Sequence, residues 1–376
     1  MSDSRNAATL SVLKPNRQTP DYKHRLRLAA DAVARAKVDS LLVTHLPNVR
    51  YLCGFTGSSG VLAVHEGKWL FVTDGRYTSQ AKEEVTGASV VISKGAPIIA
   101  AAERLSAAGA RAVGIEAQHL TVAQRSMLNH ALAPARSRET NDIVETLRMV
   151  KDAAELAAIR RAVVTGSDLL PVAVRHIKPG AREVDVAAEL EYAARRAGAE
   201  AMSFETIVAS GPRSALPHGR ASQSAVPRNG FVVLDFGVIL AGYCSDMTRT
   251  VHVGRAGREQ RRLYDAVLQA QLAAIDAVRP GALVGDVDRA ARRVLQRAGY
   301  GRYFTHSTGH GVGLEIHEAP RVGRGGNDVL KPRMVITIEP GAYVPGKGGV
   351  RIEDMVVVTE HGCEVLTPAG KDLIEI

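Results

Sequence analysis

The chain has 376 residues, 45% hydrophobic and 23% charged, which suits two soluble domains with ample core and excludes a disordered or fibrous protein. No run reaches the ~18 consecutive apolar residues of a membrane helix. Met1 to Pro20 is polar and lacks an apolar leader core, while Cys53, Cys244 and Cys363 stand far apart without a C-x-x-C pair. A secretory leader, a membrane partner, a disulfide scaffold and a thiolate zinc site are therefore not expected, and a cytoplasmic setting is. The net charge of +9 raises nucleic acid as a partner. Yet the basic residues are scattered over helix-like segments such as Arg258 to Arg262 and Arg289 to Arg293, and aromatics amount to only 4%. We read these as solvated helix faces and expect no nucleic-acid partner.

Along the chain, Tyr22 to Ala36 carries apolar residues at helical spacing. Leu41 to Thr44, Val61 to Val64 and Trp69 to Thr73 follow as short buried-strand patterns, with Gly54, Gly57 and Gly60 punctuating the stretch between the first two as turns. Pro97 to Ala108 predicts a helix with proline in its first turn, and Val113 to Glu116 another strand. This alternation indicates a smaller α/β domain over residues 1–147, with Trp69 in its core.

The character changes over residues 148–376. Val150 to His176 predicts one long helix, Lys178-Pro-Gly180 breaks it, and a second helix runs to Gly198. The phrase Ile177-Lys-Pro-Gly-Ala-Arg-Glu-Val-Asp-Val186 returns as Val278-Arg-Pro-Gly-Ala-Leu-Val-Gly-Asp-Val287, and each copy closes on Arg-Ala-Gly, at Gly198 and Gly299. Pro ends the first helix of each pair, Asp185 or Asp286 is expected to cap the second, and glycine stops it.

Each helix pair precedes a predicted hairpin with an acid on each arm. The first carries Asp235 after Val232-Val-Leu234 and Asp246 before Met247; the second carries Glu339 after Val335-Ile-Thr-Ile338 and Glu353 after Arg351-Ile352. Carboxylates beside buried apolar residues cost several kcal/mol unless paired or metal-bound. Four of them facing one another would repel and could not all ionise without a cation. A metal site answers both objections. Thr305-His-Ser-Thr-Gly-His-Gly-Val-Gly313 adds His310 with glycines at 309, 311 and 313 that allow a close approach. It is neither the H-E-x-x-H of zinc proteases nor a P-loop.

In this order, Asp235, Asp246, His310, Glu339 and Glu353 resemble the five-ligand signature of the pita-bread metallopeptidases, which include aminopeptidase P, prolidase and methionine aminopeptidase. The flanking words Leu234-Asp-Phe-Gly237, Ser245-Asp-Met-Thr-Arg249, Gly309-His-Gly-Val-Gly313, Ile338-Glu-Pro-Gly341 and Arg351-Ile-Glu-Asp354 match as well. The resemblance implies an α+β fold: a pita-bread catalytic domain with an internal pseudo-twofold repeat, preceded by a creatinase-type N-terminal α/β domain. It implies two divalent ions, manganese foremost, with cobalt, iron and zinc as alternatives. Asp246 and Glu353 would bridge them, His310 and Glu339 would complete one, and Asp235 would hold the other.

By the same resemblance, hydroxide formed from a shared water attacks the scissile carbonyl and Glu339 shuttles the proton. His218 and His317 contact the substrate and stabilise the tetrahedral intermediate. Arg351, two residues before Glu353 on a strand, either steadies the ligand set or binds a substrate carboxylate. His24, His45, His65, His119, His130, His176, His252, His306 and His361 are read as structural or solvent-facing.

The leading domain argues against methionine aminopeptidase, and the intact ligand set against creatinase. Peptides with proline at the second position remain as substrates. Tyr51-Leu-Cys-Gly-Phe-Thr-Gly-Ser58 and Thr73-Asp-Gly-Arg-Tyr77 tilt the reading toward aminopeptidase P, with the Xaa-Pro dipeptidase (prolidase) as the alternative. A catalytically silent pita-bread binding protein is the rival of another class. The family's habit implies a homodimer, with a tetramer as the alternative.

Overall fold

The computed structural model describes residues 19–376, so all but the last two residues of the stretch Met1 to Pro20, on which the absence of a leader was read, lie outside the described ones. The first sheet gathers β1 (Ser40–Val43), β2 (Val61–His65), β3 (Lys68–Asp74), β4 (Ser89–Ser93), β5 (Ala112–Glu116) and β6 (Arg136–Thr140) in the order β4-β3-β2-β1-β5-β6. Its pairs are mixed: β1–β2 and β2–β3 run antiparallel, β3–β4, β1–β5 and β5–β6 parallel. Around it pack α1 (Tyr22–Arg35), α2 (Leu46–Cys53), α3 (Thr78–Glu84), α4 (Pro97–Ala107), α5 (Val122–Leu132) and α6 (Ile143–Arg148). Trp69 lies in the core with Leu62, Val64 and Phe71. Helix α2 was not foreseen, because the glycines after it dominate the pattern; it has Pro47 in its first turn, buries Val49 and Leu52, and ends on Gly54 with φ +88°.

The second part begins with the helix pair α7 (Ala153–His176) and α8 (Glu183–Arg196). The strands β7 (Ala201–Met202), β8 (Ile207–Ser210), β9 (Gly230–Phe236), β10 (Val238–Leu240), β11 (Tyr243–Cys244) and β12 (Met247–Val253) follow. The design then recurs as α9 (Arg258–Asp276) and α10 (Val284–Arg297) with β13 (Gly309–Gly311), β14 (Glu318–Val322), β15 (Val335–Ile338), β16 (Gly341–Val344), β17 (Gly348–Arg351), β18 (Asp354–Val358) and β19 (Cys363–Val365). Both predicted hairpins form, β9 with β12 and β15 with β18, each interrupted by a smaller hairpin, β10–β11 or β16–β17. Each is backed by its own helices: Leu170, Leu190 and Ala194 meet Val232, Leu234 and Val251, while Val267, Val287 and Leu295 meet Ile336, Ile338 and Val356.

Two details differ from expectation. Asp185 and Asp286 do not cap their helices; the N-caps are Arg182 and Leu283, and the acids sit in the first turn, where each pairs with an arginine, Arg182 or Arg289. Negative charge there still complements the helix dipole. The Arg289–Arg293 segment is not wholly a solvated face either. Arg292 turns inward, pairs with Asp288 at 2.7 Å and donates to the carbonyls of Phe304 and His306. Among the described residues, no helix is long and apolar enough to cross a membrane.

Candidate metal centre

Strand parity decides where the acids point. Val232, Leu234 and Phe236 bury against α7 and α8, so Asp235 faces away from those helices. On β12, Met247, Val251 and Val253 bury on the same side, which turns Thr248 and the preceding Asp246 with Asp235. Ile336 and Ile338 bury against α9 and α10, so Glu339 faces the opposite way; Val356 and Val358 do the same for Glu353. The two hairpins meet through these faces. The Glu353 amide donates to the Thr248 carbonyl at 3.1 Å, and the Thr248 hydroxyl to Glu353 Oε2 at 2.7 Å.

His310 stands on β13 between glycines that leave no room for a side chain. A Cβ on Gly309 would lie 1.9 Å from the Thr337 carbonyl oxygen, and one on Gly313 would lie 2.5 Å from the Glu318 carboxylate. The His310 Nδ1 faces the Gly311 carbonyl at 2.9 Å, which only an N–H satisfies, so Nε2 keeps a lone pair. That Nε2 is 3.4 Å from Glu339 Oε1 and 3.5 Å from Asp246 Oδ2. Asp246, His310 and Glu353 each present a ligand atom within 4.8 Å of the others. Asp235 is oriented differently: its Oδ2 accepts from Arg351 Nη2 at 2.5 Å, and its Oδ1 is buried with no hydrogen-bond partner.

The electrostatics call for a cation. Burial, followed by the charges of Glu353, Asp235 and Glu339, pushes Asp246 well above the usual carboxylate range, and burial followed by the charges of Glu339 and Asp235 does the same to Glu353. Burial raises Glu339 to about 8 despite Arg351, and lowers His310 to about 4. A neutral imidazole beside four oxygen donors, with one buried carboxylate oxygen unpaired, fits hard divalent ions.

A cleft of about 690 Å³ opens over these residues and is also lined by His218, His317 and Arg351. The His317 ring packs edge-on against His310 at 4.4 Å between centroids. Arg351 is buried and engaged on every side, with Asp235, Thr248 Oγ1, the Pro217 carbonyl and the Tyr343 hydroxyl.

The structure adds cleft residues that sequence reasoning missed. His306, set among the histidines without functional context, forms part of the wall; its Nε2 lies 2.8 Å from the Tyr343 hydroxyl. Burial, then the Arg351 charge, push its pKa down to about 3. Its place four residues before His310 in one glycine-rich stretch was the available signal. Phe204, Ile207 and Ile316 supply apolar surface, and Arg220 and Arg321 supply cations at the rim; these carried no sequence signal.

Residues 157–360 match the model of metallopeptidase family M24, and residues 25–150 that of the creatinase/prolidase N-terminal domain. An Xaa-Pro dipeptidase of Pyrococcus horikoshii is 38% identical over 339 residues, spanning 90% of this chain and 95% of its own. The solved structure of an Xaa-Pro dipeptidase from Bacillus anthracis superposes with TM-score 0.92 at 39% identity, covering 95% of this chain and 100% of that one. An X-Pro aminopeptidase structure from Thermotoga maritima gives TM-score 0.86 at 35% identity, covering 92% and 100%.

Proposed function

Because the chain belongs to metallopeptidase family M24, with a creatinase-type N-terminal domain before a pita-bread catalytic domain, we propose that it is a dinuclear-metal hydrolase of Xaa-Pro dipeptides. The observation that carries the reading is the convergence of four acids from two duplicated hairpins, and of His310 from β13, at the floor of one cleft. The aminopeptidase preference drawn from Tyr51–Ser58 and Thr73–Tyr77 is the less supported branch. More of the similar proteins and solved structures are named as Xaa-Pro dipeptidases or prolidases than as X-Pro aminopeptidases. The rim favours the same branch. A dipeptide brings a free carboxylate next to its scissile bond, and Arg321 is an exposed cleft cation with no acidic partner among the described residues.

Asp235, Asp246, His310, Glu339 and Glu353 would hold two divalent ions, with Asp246 and Glu353 shared between them. Once bound, such ions supply Lewis acidity toward the scissile carbonyl and an activated water. Around them, the chain's own groups do the rest. Glu339 takes up the proton given off by the attacking water and passes it to the leaving nitrogen. His218 and His317 donate to the oxygen on which charge develops, a kind of contact worth roughly 3–4 kcal/mol in hydrolases. Phe204, Ile207 and Ile316 offer the apolar wall a proline ring requires. The oxygen-rich ligand set points to manganese ahead of zinc. We place the protein in the cytoplasm, in keeping with three free cysteines, and take the homodimer from the family resemblance alone.

Manganese-loaded protein offered Xaa-Pro dipeptides and Xaa-Pro-Yaa tripeptides tests this. Cleavage of dipeptides alone is expected. Preferential cleavage of tripeptides would restore the aminopeptidase reading, and cleavage of neither by folded, two-ion protein would leave a silent binding protein.

A further inference from the structure

Four residues, Leu314 to His317, separate the metal-ligand stretch from β14, and two acids bracket His317: Glu315 among the four and Glu318 at the start of β14. Neither acid is a ligand of the proposed ions, yet both are held with care. Glu318 Oε1 accepts from Arg148 Nη2 at 2.5 Å and from the Glu315 amide at 3.2 Å, and its Oε2 accepts from Lys151 Nζ at 2.7 Å. The same Arg148 Nη2 donates to Glu315 Oε2 at 2.8 Å, while Glu315 Oε1 lies 3.0 Å from His45 Nε2. Burial opposes ionisation of Glu318, but Lys151 and Arg148 override it and hold its pKa below the usual value. Against burial, the His45 hydrogen bond and the Arg148 charge likewise hold the Glu315 pKa down at about 2, so both carboxylates are charged at neutral pH and bound to one guanidinium.

That guanidinium is fixed from behind. Arg148 side-chain exposure is 2%, and its Nη1 donates to Asn48 Oδ1 at 2.7 Å. Asn48, fully buried on α2, donates through Nδ2 to Glu116 Oε1 at 2.7 Å and to Glu145 Oε1 at 2.5 Å. Glu116 Oε2 in turn accepts from the amides of Thr44 and His45, at 2.6 and 2.8 Å. A continuous polar chain thus runs from β5 of the first sheet, through α2 and the end of α6, to the segment that carries His317.

We propose that Arg148 is a positioning residue for His317: its guanidinium pins both carboxylates that flank this histidine, and the Asn48–Glu116 chain anchors it in the N-terminal domain. The proposal rests on the reading of His317 as a substrate-contacting group and gives the N-terminal domain a task within its own subunit's active site. A planar fork with fixed N–H directions can span two carboxylates and an amide oxygen at once; an ammonium cannot. Without Arg148, Glu318 keeps only Lys151 and the Glu315 amide and Glu315 keeps only His45, so the segment loses the one group that ties both acids together and keeps the His317 ring packed against His310. Gly313 completes the fit, since a side chain there would strike the Glu318 carboxylate.

The test is a double-mutant cycle on the metal-loaded enzyme, with imidazole spectra as a readout independent of activity. Arg148→Ala is expected to lower kcat for an Xaa-Pro dipeptide about 10-fold or more while both ions stay bound. In a His317→Ala background the same change is expected to have almost no further effect on kcat, because the group it acts through is gone. An equal loss in both backgrounds overturns the proposal. In 15N-histidine spectra of zinc-loaded protein, Arg148→Ala should shift the His317 signals, assigned by their absence in His317→Ala, and leave those of His24 and His130 in place. Unshifted His317 signals overturn the proposal too. If His317→Ala proves fully active, the catalytic reading of His317 falls, and the spectra still decide whether Arg148 positions the ring. Should Arg148→Ala not fold, Arg148→Lys and Asn48→Ala carry the same two readouts: each is expected to move the His317 signals and lower kcat less than the alanine variant would.

Discussion

Arg351 and Asp235, 116 residues apart, meet at 2.5 Å in the floor of the cleft, and the contact leaves one Asp235 oxygen, Oδ1, buried and unpaired. The arginine thereby fixes which carboxylate oxygen is free for a cation. Arg351→Ala should weaken binding of the ion that Asp235 holds by about 10–100-fold. Removing one partner of a buried pair should also cost roughly 3–5 kcal/mol of stability. Metal titration by calorimetry reads the first effect and denaturant unfolding the second. Unaltered affinity for both ions would contradict the assignment.

Asp246 and Glu353 are the acids proposed to be shared. Asp246→Ala or Glu353→Ala should therefore abolish binding of both ions together with activity, whereas Asp235→Ala should spare one. Elemental analysis of the purified variants counts the ions. Two-ion stoichiometry in either shared-acid variant would rule out the sharing.

Stability of the metal-free protein should depend on pH in a direction set by its crowded carboxylates. The Glu339 pKa is raised from 4.5 to about 8, and those of Asp246 and Glu353 are raised well above their ordinary values. A group whose pKa is higher in the folded than in the unfolded state contributes fully below the unfolded value, and that contribution is lost as pH rises through the folded value. For Glu339 the loss falls between about pH 4.5 and 8. Chelated protein should accordingly show a falling Tm across that window, and saturating manganese should flatten the curve, with its largest stabilisation at the alkaline end. Scanning calorimetry with and without chelator measures both, and parallel curves would refute the account.

Arg321 separates the two peptidase branches. If it receives the free carboxylate of a dipeptide, Arg321→Ala should raise KM for Xaa-Pro about 10-fold or more, with kcat much less affected, since a charge-assisted hydrogen bond contributes about 1.5–3 kcal/mol. An Xaa-Pro amide, which lacks that carboxylate, should be cleaved equally by wild type and variant. Equal losses on both substrates would remove Arg321 from carboxylate recognition.

What could be read in advance follows the local rules of the chain. Asp235 and Glu339 were conspicuous because strand interiors seldom carry acids, and the period of two places them on the face opposite Leu234 and Ile338, against which the helices pack. The duplicated Pro-Gly phrases marked the helix pairs because breaks in helices are encoded within a few residues; Gly180 and Gly281 take φ values of +87° and +82° at corresponding places. The capping expectation at Asp185 and Asp286 failed by one turn. A first-turn acid and an N-cap acid look alike until the backbone shows where the helix begins.

The sequence alone supplied the donor set of the proposed centre: four acids and one glycine-flanked histidine, in an order that resembles the family's five-ligand signature. Tertiary structure alone decided how the set is held: Arg351 against Asp235 across 116 residues, Arg148 against Glu318 across 170, and His306 on the wall of the cleft instead of in the bulk of the domain. The physical reason lies in the range of the forces that leave a pattern. Hydrophobic periodicity and backbone breaks act between near neighbours and repeat along the chain. A buried ion pair between distant elements repeats nowhere; it exists only once packing has excluded water and left each charge a single partner.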